Sequence, residues 1–186
     1  GDGGSPRRGT APGARRSLRV KVTRALAETR ERLEVAGCES PAVDARSGVS
    51  ARFAVAAAES LAAGALRRAA ITGETAAVAR VGDLPAVVPT LRGKVEFEVS
   101  EEGREEEVLV HLMRRSVAET FRARLGGVDL GALITRFDEG TSVEVGDLVT
   151  SDELLRRVGL LDGLGRIVAA LEGEDGAAES PGVVAA

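Results

Sequence analysis

The chain has 186 residues, 44% of them apolar, which is enough for one domain or two small ones with a sizeable core. Aromatics make up only 2% (Phe53, Phe97, Phe121 and Phe137, with no Trp or Tyr), so Leu, Val and Ala must fill that core, and Ala-rich faces favour close helix–helix packing over sheet sandwiches. A formal net charge of −4 gives no general reason to expect nucleic-acid binding, and the single cysteine, Cys38, excludes an internal disulfide.

Residues 1–16 are Gly, Pro, Arg and Ser with almost nothing to bury, and read as a disordered basic tail. The spacing of Leu18, Val22, Leu26 and Leu33 predicts a helix over 17–36, with Ser17 as N-cap and Gly37 as its end. Residues 1–36 hold nine Arg/Lys against four Asp/Glu, a balance of +5 that leaves the other 150 residues near −9. With no aromatics between the charges, the basic arm reads as a solvated tail rather than a nucleic-acid contact. A loop over 38–48, with Pro41 and Gly48, leads to a helix from Ser50 to about Ile71. Its buried stripe is Phe53, Ala57, Leu61, Ala65 and Ala69, with Leu66 beside them, and Thr72-Gly73 closes it.

Asp83 is predicted to cap a second helix, with Pro85 in its first turn and Leu84, Val87, Val88 and Leu91 facing inward. Pro89 should kink or shorten that helix. After Gly93 the period changes. Val95, Phe97 and Val99 alternate with Lys94, Glu96 and Glu98, as in a short half-buried strand or, equally, an extended connector; Val143 and Val145 are the most natural partner for a strand. An amphipathic helix over 104–125 carries Val108, Leu109, Leu112, Met113, Val117 and Phe121 at helical spacing, with Glu105, Glu106 and Glu107 at its start. Short helices follow over 129–138, from Ser151, and over about 163–171. The tail from Gly173 turns apolar again only at Val183-Val184-Ala185-Ala186, which reads as the start of a further helix. No apolar run is long and charge-free enough to cross a bilayer, and the first eight residues lack the apolar stretch of a signal peptide. A soluble cytoplasmic protein is the expectation.

Little in the chain carries catalytic chemistry by itself. A phosphate-cradling loop needs Gly-x-x-x-x-Gly-Lys-Ser/Thr, so that backbone amides wrap the phosphates and Lys neutralises them. The only Gly-Lys is Gly93-Lys94, with Val88 in place of the first glycine and Val95 in place of Ser/Thr. His111 is the only histidine and reads as a residue at the edge of the core, so no zinc site is expected. Cys38 has no candidate base nearby in sequence and reads as an inert thiol. The glutamates of 101–107 read as a solvated, dipole-favoured helix start. Arg46 and Arg52 remain. Arg52 falls in the first turn of its helix, where a guanidinium can reach a phosphate held by a neighbouring domain. Spacing alone favours an ordinary surface arginine.

Two longer segments shift that balance. One is Val43-Asp44-Ala45-Arg46-Ser47-Gly48-Val49-Ser50-Ala51-Arg52-Phe53, followed by the Ala-rich helix and Gly73-Glu74. The other is Arg80-Val81-Gly82-Asp83-Leu84-Pro85-Ala86-Val87-Val88-Pro89, leading into Gly93-Lys94-Val95-Glu96-Phe97. Together, and over about residues 43–186, they resemble the C-terminal part of bacterial magnesium-chelatase-like, MoxR-type AAA+ ATPases. In that family a Gly-x-Ser-x-Arg element starts the helical lid and its Arg is the sensor-2 residue. The resemblance therefore implies a mainly α fold with minor β: a lid-like helical bundle over 43–92, a helical extension over 93–172 and a flexible tail over 173–186. Residues 17–42, a helix and loop, do not look like the family's core.

Carried over, Arg52 contacts the γ-phosphate of ATP bound to an AAA+ core, and Arg46 is a weaker candidate for a nucleotide or inter-subunit contact. ATP and Mg²⁺ are implied only together with that core, because the phosphate loop and Mg²⁺ ligand are not among these residues; by itself the chain is not expected to hydrolyse ATP. The implied partners are the core of the same protein, a homo-oligomeric ring and a client protein that is remodelled or receives a metal. A stand-alone helical adaptor without ATPase activity is the competing expectation.

Overall fold

A computed structural model describes residues 19–44, 46, 49–161, 163–165, 167–168 and 183–184. The chain is mainly helical with a minor sheet, as the sequence predicts. The expected tail over 1–16 and residues 166 and 169–171 of the expected helix over 163–171 lie outside the described residues.

The first departure is at the start. Arg19–Lys21 form a strand, β1, and the helix α1 begins only at Arg24 and runs to Glu39. Thr23, not Ser17, is its N-cap, accepting the Leu26 N–H at 3.4 Å. The strand pairs in parallel with β2 (Ala77–Val78) and antiparallel with β3 (Val183–Val184), giving the order β2-β1-β3. Both partners are remote in sequence, so local periodicity does not reveal them. The closing Val183-Val184 is thus a strand rather than the start of a helix. Gly37 lies inside α1 instead of ending it. A Cβ there would sit 2.8 Å from Val49 Cγ2, so close approach of the chain demands glycine.

Helix α2 spans Ala51–Thr72 and buries Phe53, Ala56, Ala57, Leu61, Ala62, Ala65, Arg68 and Ala69. Gly73 ends it with φ +74°, its N–H bonded to the Ala69 carbonyl, a left-handed cap that suits glycine. Asp83 does not open the next helix. Residues Val81–Val87 form a 3₁₀ helix, and the Asp83 carboxylate reaches back to accept the Arg80 N–H at 2.7 Å. Pro85 sits within that stretch and Pro89 in the first turn of the short helix α3 (Val88–Arg92), where a missing N–H costs little.

Residues 95–99 do not pair with 143–145, and no strand forms at Val143 or Val145. Phe97 makes a single antiparallel bridge with Val43 instead, supported by Asp44 N–H to Glu96 O and Glu98 N–H to Ala42 O, both at 3.0 Å. The alternation sets burial only in part: Val95 and Phe97 pack on the core and Lys94, Glu96 and Glu98 are exposed, but Val99, expected on the inner face, is 85% exposed where the chain enters a 3₁₀ turn.

Helix α4 (Glu105–Leu125) buries Leu109, Leu112, Met113, Ser116 and Thr120. Phe121, placed on this stripe by spacing, is half exposed. The buried face turns instead through Ser116 and Thr120, whose hydroxyls donate to the carbonyls four residues back. Thr29 Oγ1 of α1 meets Thr120 Oγ1 at 3.1 Å, and Arg124 clasps Glu28 through two hydrogen bonds of 2.9 and 2.8 Å. One continuous core joins α1, α2, α3 and α4 with Val20, Ala77 and Ala79 of the sheet region. Helices α5 (Gly131–Asp138) and α6 (Ser151–Val158) follow, and neither buries any residue.

Candidate functional site

The two arginines singled out by sequence lie on the same side of the chain order but in different settings. Arg46 is 92% exposed at its side chain and is held by Asp44, which accepts its backbone N–H at 2.8 Å and its guanidinium at 3.4 Å. The backbone hydrogen bond from Arg46, then its guanidinium, hold the Asp44 carboxyl below the usual range. Gly48 of the Gly-x-Ser-x-Arg element lies outside the described residues.

Arg52 is exposed in the first turn of α2 and has no hydrogen bond or ion pair among the described residues. It lines an open depression with Ala51, Val55, Ala56, Glu59 and Lys94. Ser50 occupies the N-cap position in extended conformation, yet its side chain makes no capping hydrogen bond. The Phe53 N–H turns back to the Ser50 carbonyl at 2.9 Å instead, and the positive end of the helix dipole lies at this turn. Two cations, Arg52 and Lys94, against one carboxylate, Glu59, leave this opening with a positive balance able to accept an anion supplied from outside. The segments that carried the resemblance are joined here, since residues 42–44 bridge to 96–98, just beyond Lys94.

The strongest polar cluster was not singled out in the sequence. Arg68, on the Ala-rich stripe of α2, has a side chain only 2% exposed. Its Nη2 donates to Asp83 Oδ2 at 2.9 Å and to the Val78 carbonyl at 2.5 Å, and its Nε to Asp83 Oδ1 at 3.3 Å. Its Nη1 is buried without a hydrogen-bond partner, 3.7 Å from Glu74 Oε2. Glu74 in turn accepts the Thr72 hydroxyl at 2.8 Å and the Ser151 N–H at 2.7 Å. Arg80 donates to the Val149 carbonyl at 2.8 Å and to Ser151 Oγ at 2.9 Å. A signal did exist: Arg68 falls three residues after Ala65 and seven after Leu61, so a charge occupied the apolar face and required a buried counter-charge.

Burial alone would raise the Glu74 carboxyl, but hydrogen bonds from the Ser151 hydroxyl and amide and from Thr72, with the Arg80 charge, outweigh it and hold it below 4.5. A depressed carboxyl contributes stability that is complete above its unfolded value and is lost as pH falls through its folded value. Glu74→Gln should therefore cost about 1–2 kcal/mol above pH 4.5. In urea titrations at stepped pH, the gap between wild type and variant should close below that value as the wild-type carboxylate is protonated. A gap independent of pH would contradict the assignment.

Other candidates stay quiet. His111 is exposed rather than at the core edge, and Cys38 is an exposed free thiol. Among the described residues there is no group of three or more His, Cys, Asp or Glu able to hold a metal, and no helix long and apolar enough to cross a membrane. Compared with known proteins, the chain matches no family model, no curated protein and no solved structure.

Proposed function

We propose that this chain is the lid and C-terminal extension of a magnesium-chelatase-like, MoxR-type AAA+ ATPase. In this reading it couples ATP binding and hydrolysis in an AAA+ core to remodelling of, or metal insertion into, a client protein. The observation that carries the proposal is Arg52, exposed without a described partner in the first turn of α2 beside Lys94 and an unfilled N-cap. These groups fit the terminal phosphate of a nucleotide presented by a neighbouring domain: Arg52 supplies a planar, charged donor, Lys94 a second charge, and the helix start its positive dipole. When bound, ATP supplies the phosphoryl group whose hydrolysis drives the machine. The residues of this chain bind and orient its anionic end. Mg²⁺ finds no donor set among the described residues and belongs, on this reading, to the core. Arg46, already engaged by Asp44, is the weaker nucleotide candidate. The core's own chain and a homo-oligomeric ring are the proposed partners, in the cytoplasm.

The test is kinetic. In a complete homologous ATPase, alanine at the position of Arg52 should lower ATP turnover on the order of 10²-fold, the usual cost of removing one donor aimed at developing phosphate charge. Unchanged turnover would remove the sensor role.

One observation favours the adaptor as a second reading. Helix α1, which the resemblance does not cover, is built into the core through Leu26, Leu33 and Ala36, so the described helices close on one another. An adaptor predicts that the chain captures its client without nucleotide and that Arg52→Ala leaves capture intact.

A further inference from the structure

Helices α5 and α6 bury none of their residues, yet the segment between them is anchored to the core. Val149 is buried, Arg67 of α2 pairs with Asp147, Arg80 holds the Val149 carbonyl and Ser151 Oγ, and Glu74 holds the Ser151 N–H. All these anchors fall within residues 147–151. From them we propose that residues 147–151 form a releasable strap, closed by Glu74 and Arg80, that couples the position of α2 to that of α6.

The coupling follows from where the two closing groups are fixed. Glu74 directly follows the Gly73 cap of α2 and is oriented by Thr72 of its last turn. Arg80 is fixed through its backbone N–H to Asp83, and Asp83 through Arg68 to α2. Both halves of the clasp therefore move with the C-terminal end of α2. Arg52 lies at the other end of this 22-residue helix, about 30 Å away. A rod of that length carries a tilt at its first turn to its last. The nucleotide half of this coupling rests on the reading of Arg52 above; the strap itself does not.

The strap is releasable because no residue of α6 is fully buried: Leu154 and Val158 are half-buried, and Thr150 caps the Glu153 N–H. Arg67 and Asp147 are more than half exposed at their side chains, so their pair contributes little. The Ser151 amide belongs to the first turn of α6, where no carbonyl of the helix can accept it, and Glu74 caps it with a negative charge that the helix dipole favours. Once that cap is lost, an eight-residue helix kept by the Thr150 cap and a few half-buried side chains is marginal in water. The strap thus belongs to the low-stability end of the fold, where segments open without global unfolding.

The test uses the whole chain and amide hydrogen exchange read by mass spectrometry. Ser151→Pro removes both the N–H given to Glu74 and the hydroxyl held by Arg80. Proline is tolerated at the first helical position, and Thr150, at φ −67° and ψ 161°, already has the extended conformation a residue before proline needs. The variant leaves the buried Arg68–Asp83 pair untouched. Amides of 147–158 should exchange at least tenfold faster, while those of α1, α2 and α4 keep their rates; Arg80→Gln should reproduce the pattern. Unchanged exchange over 147–158 in Ser151→Pro would overturn the strap, as would equal acceleration throughout α2 and α4. No nucleotide is present, so a negative result leaves the Arg52 reading standing. Conversely, unchanged turnover in the Arg52 experiment leaves the strap intact.

Discussion

Replacing Arg68 with alanine should lower the stability of this chain by about 3–5 kcal/mol, the cost of breaking a buried ion pair from one side. The guanidinium is 2% exposed and its partner Asp83 6%, so solvent screens neither. Removing Arg68 strands the Asp83 carboxylate in the core, leaves the Val78 carbonyl without this donor, and opens a cavity where the long side chain lay. Much of the loss is the cost of the orphaned charge. Arg68→Met combined with Asp83→Leu should therefore recover a large part of it, because apolar replacement of both partners is often neutral or better. The measurement is urea unfolding followed by far-UV circular dichroism, since the chain has no Trp or Tyr to report by fluorescence. A loss under about 1 kcal/mol for Arg68→Ala would show that the pair is not buried in solution.

Arg68 also marks the limit of what the sequence discloses. Elements decided by local pattern were legible. The stripe Phe53, Ala57, Leu61, Ala65 and Ala69 gives α2, Gly73 gives its end, and Leu109, Leu112 and Met113 give α4, all within a residue or two of the observed bounds. Elements decided by distant partners were not. Arg19–Lys21 is a strand only because Ala77–Val78 and Val183–Val184 lie beside it, and Phe97 bridges Val43 rather than Val143 or Val145. Asp83 has the chemistry of a helix cap and does cap backwards, onto Arg80, but the main demand on it comes from Arg68 of α2. The candidate site divides along the same line. Arg52 is visible as a charge at a helix start. The meeting of Glu74 and Arg80 with Ser151 depends on how residues 126–150 fold back, and no short-range periodicity encodes it.

Phe53 links the packing of α2 to the position of Arg52. It is the residue after Arg52, and of the four phenylalanines it is the one fully buried, at 1% exposure; Phe121 and Phe137 are exposed and Phe97 packs only at the core's edge. In a core otherwise filled by small and aliphatic side chains, Phe53 fixes how the first turn of α2 sits on its neighbours. Phe53→Ala should cost about 3–5 kcal/mol, the sum of lost transfer energy and an unfilled cavity, because the Ala-rich face around it has few long side chains able to collapse inward. For a chain of this length that corresponds to a fall in Tm of about 10 °C. Phe53→Leu, closer in volume, should cost less than about 1.5 kcal/mol. The same pair of variants probes the link between packing and position. If α2's first turn orients Arg52, then in a complete homologous ATPase the alanine variant should lose turnover even at temperatures where it remains folded, and the leucine variant should retain it. Equal turnover in both folded variants would separate the placement of Arg52 from the packing of Phe53.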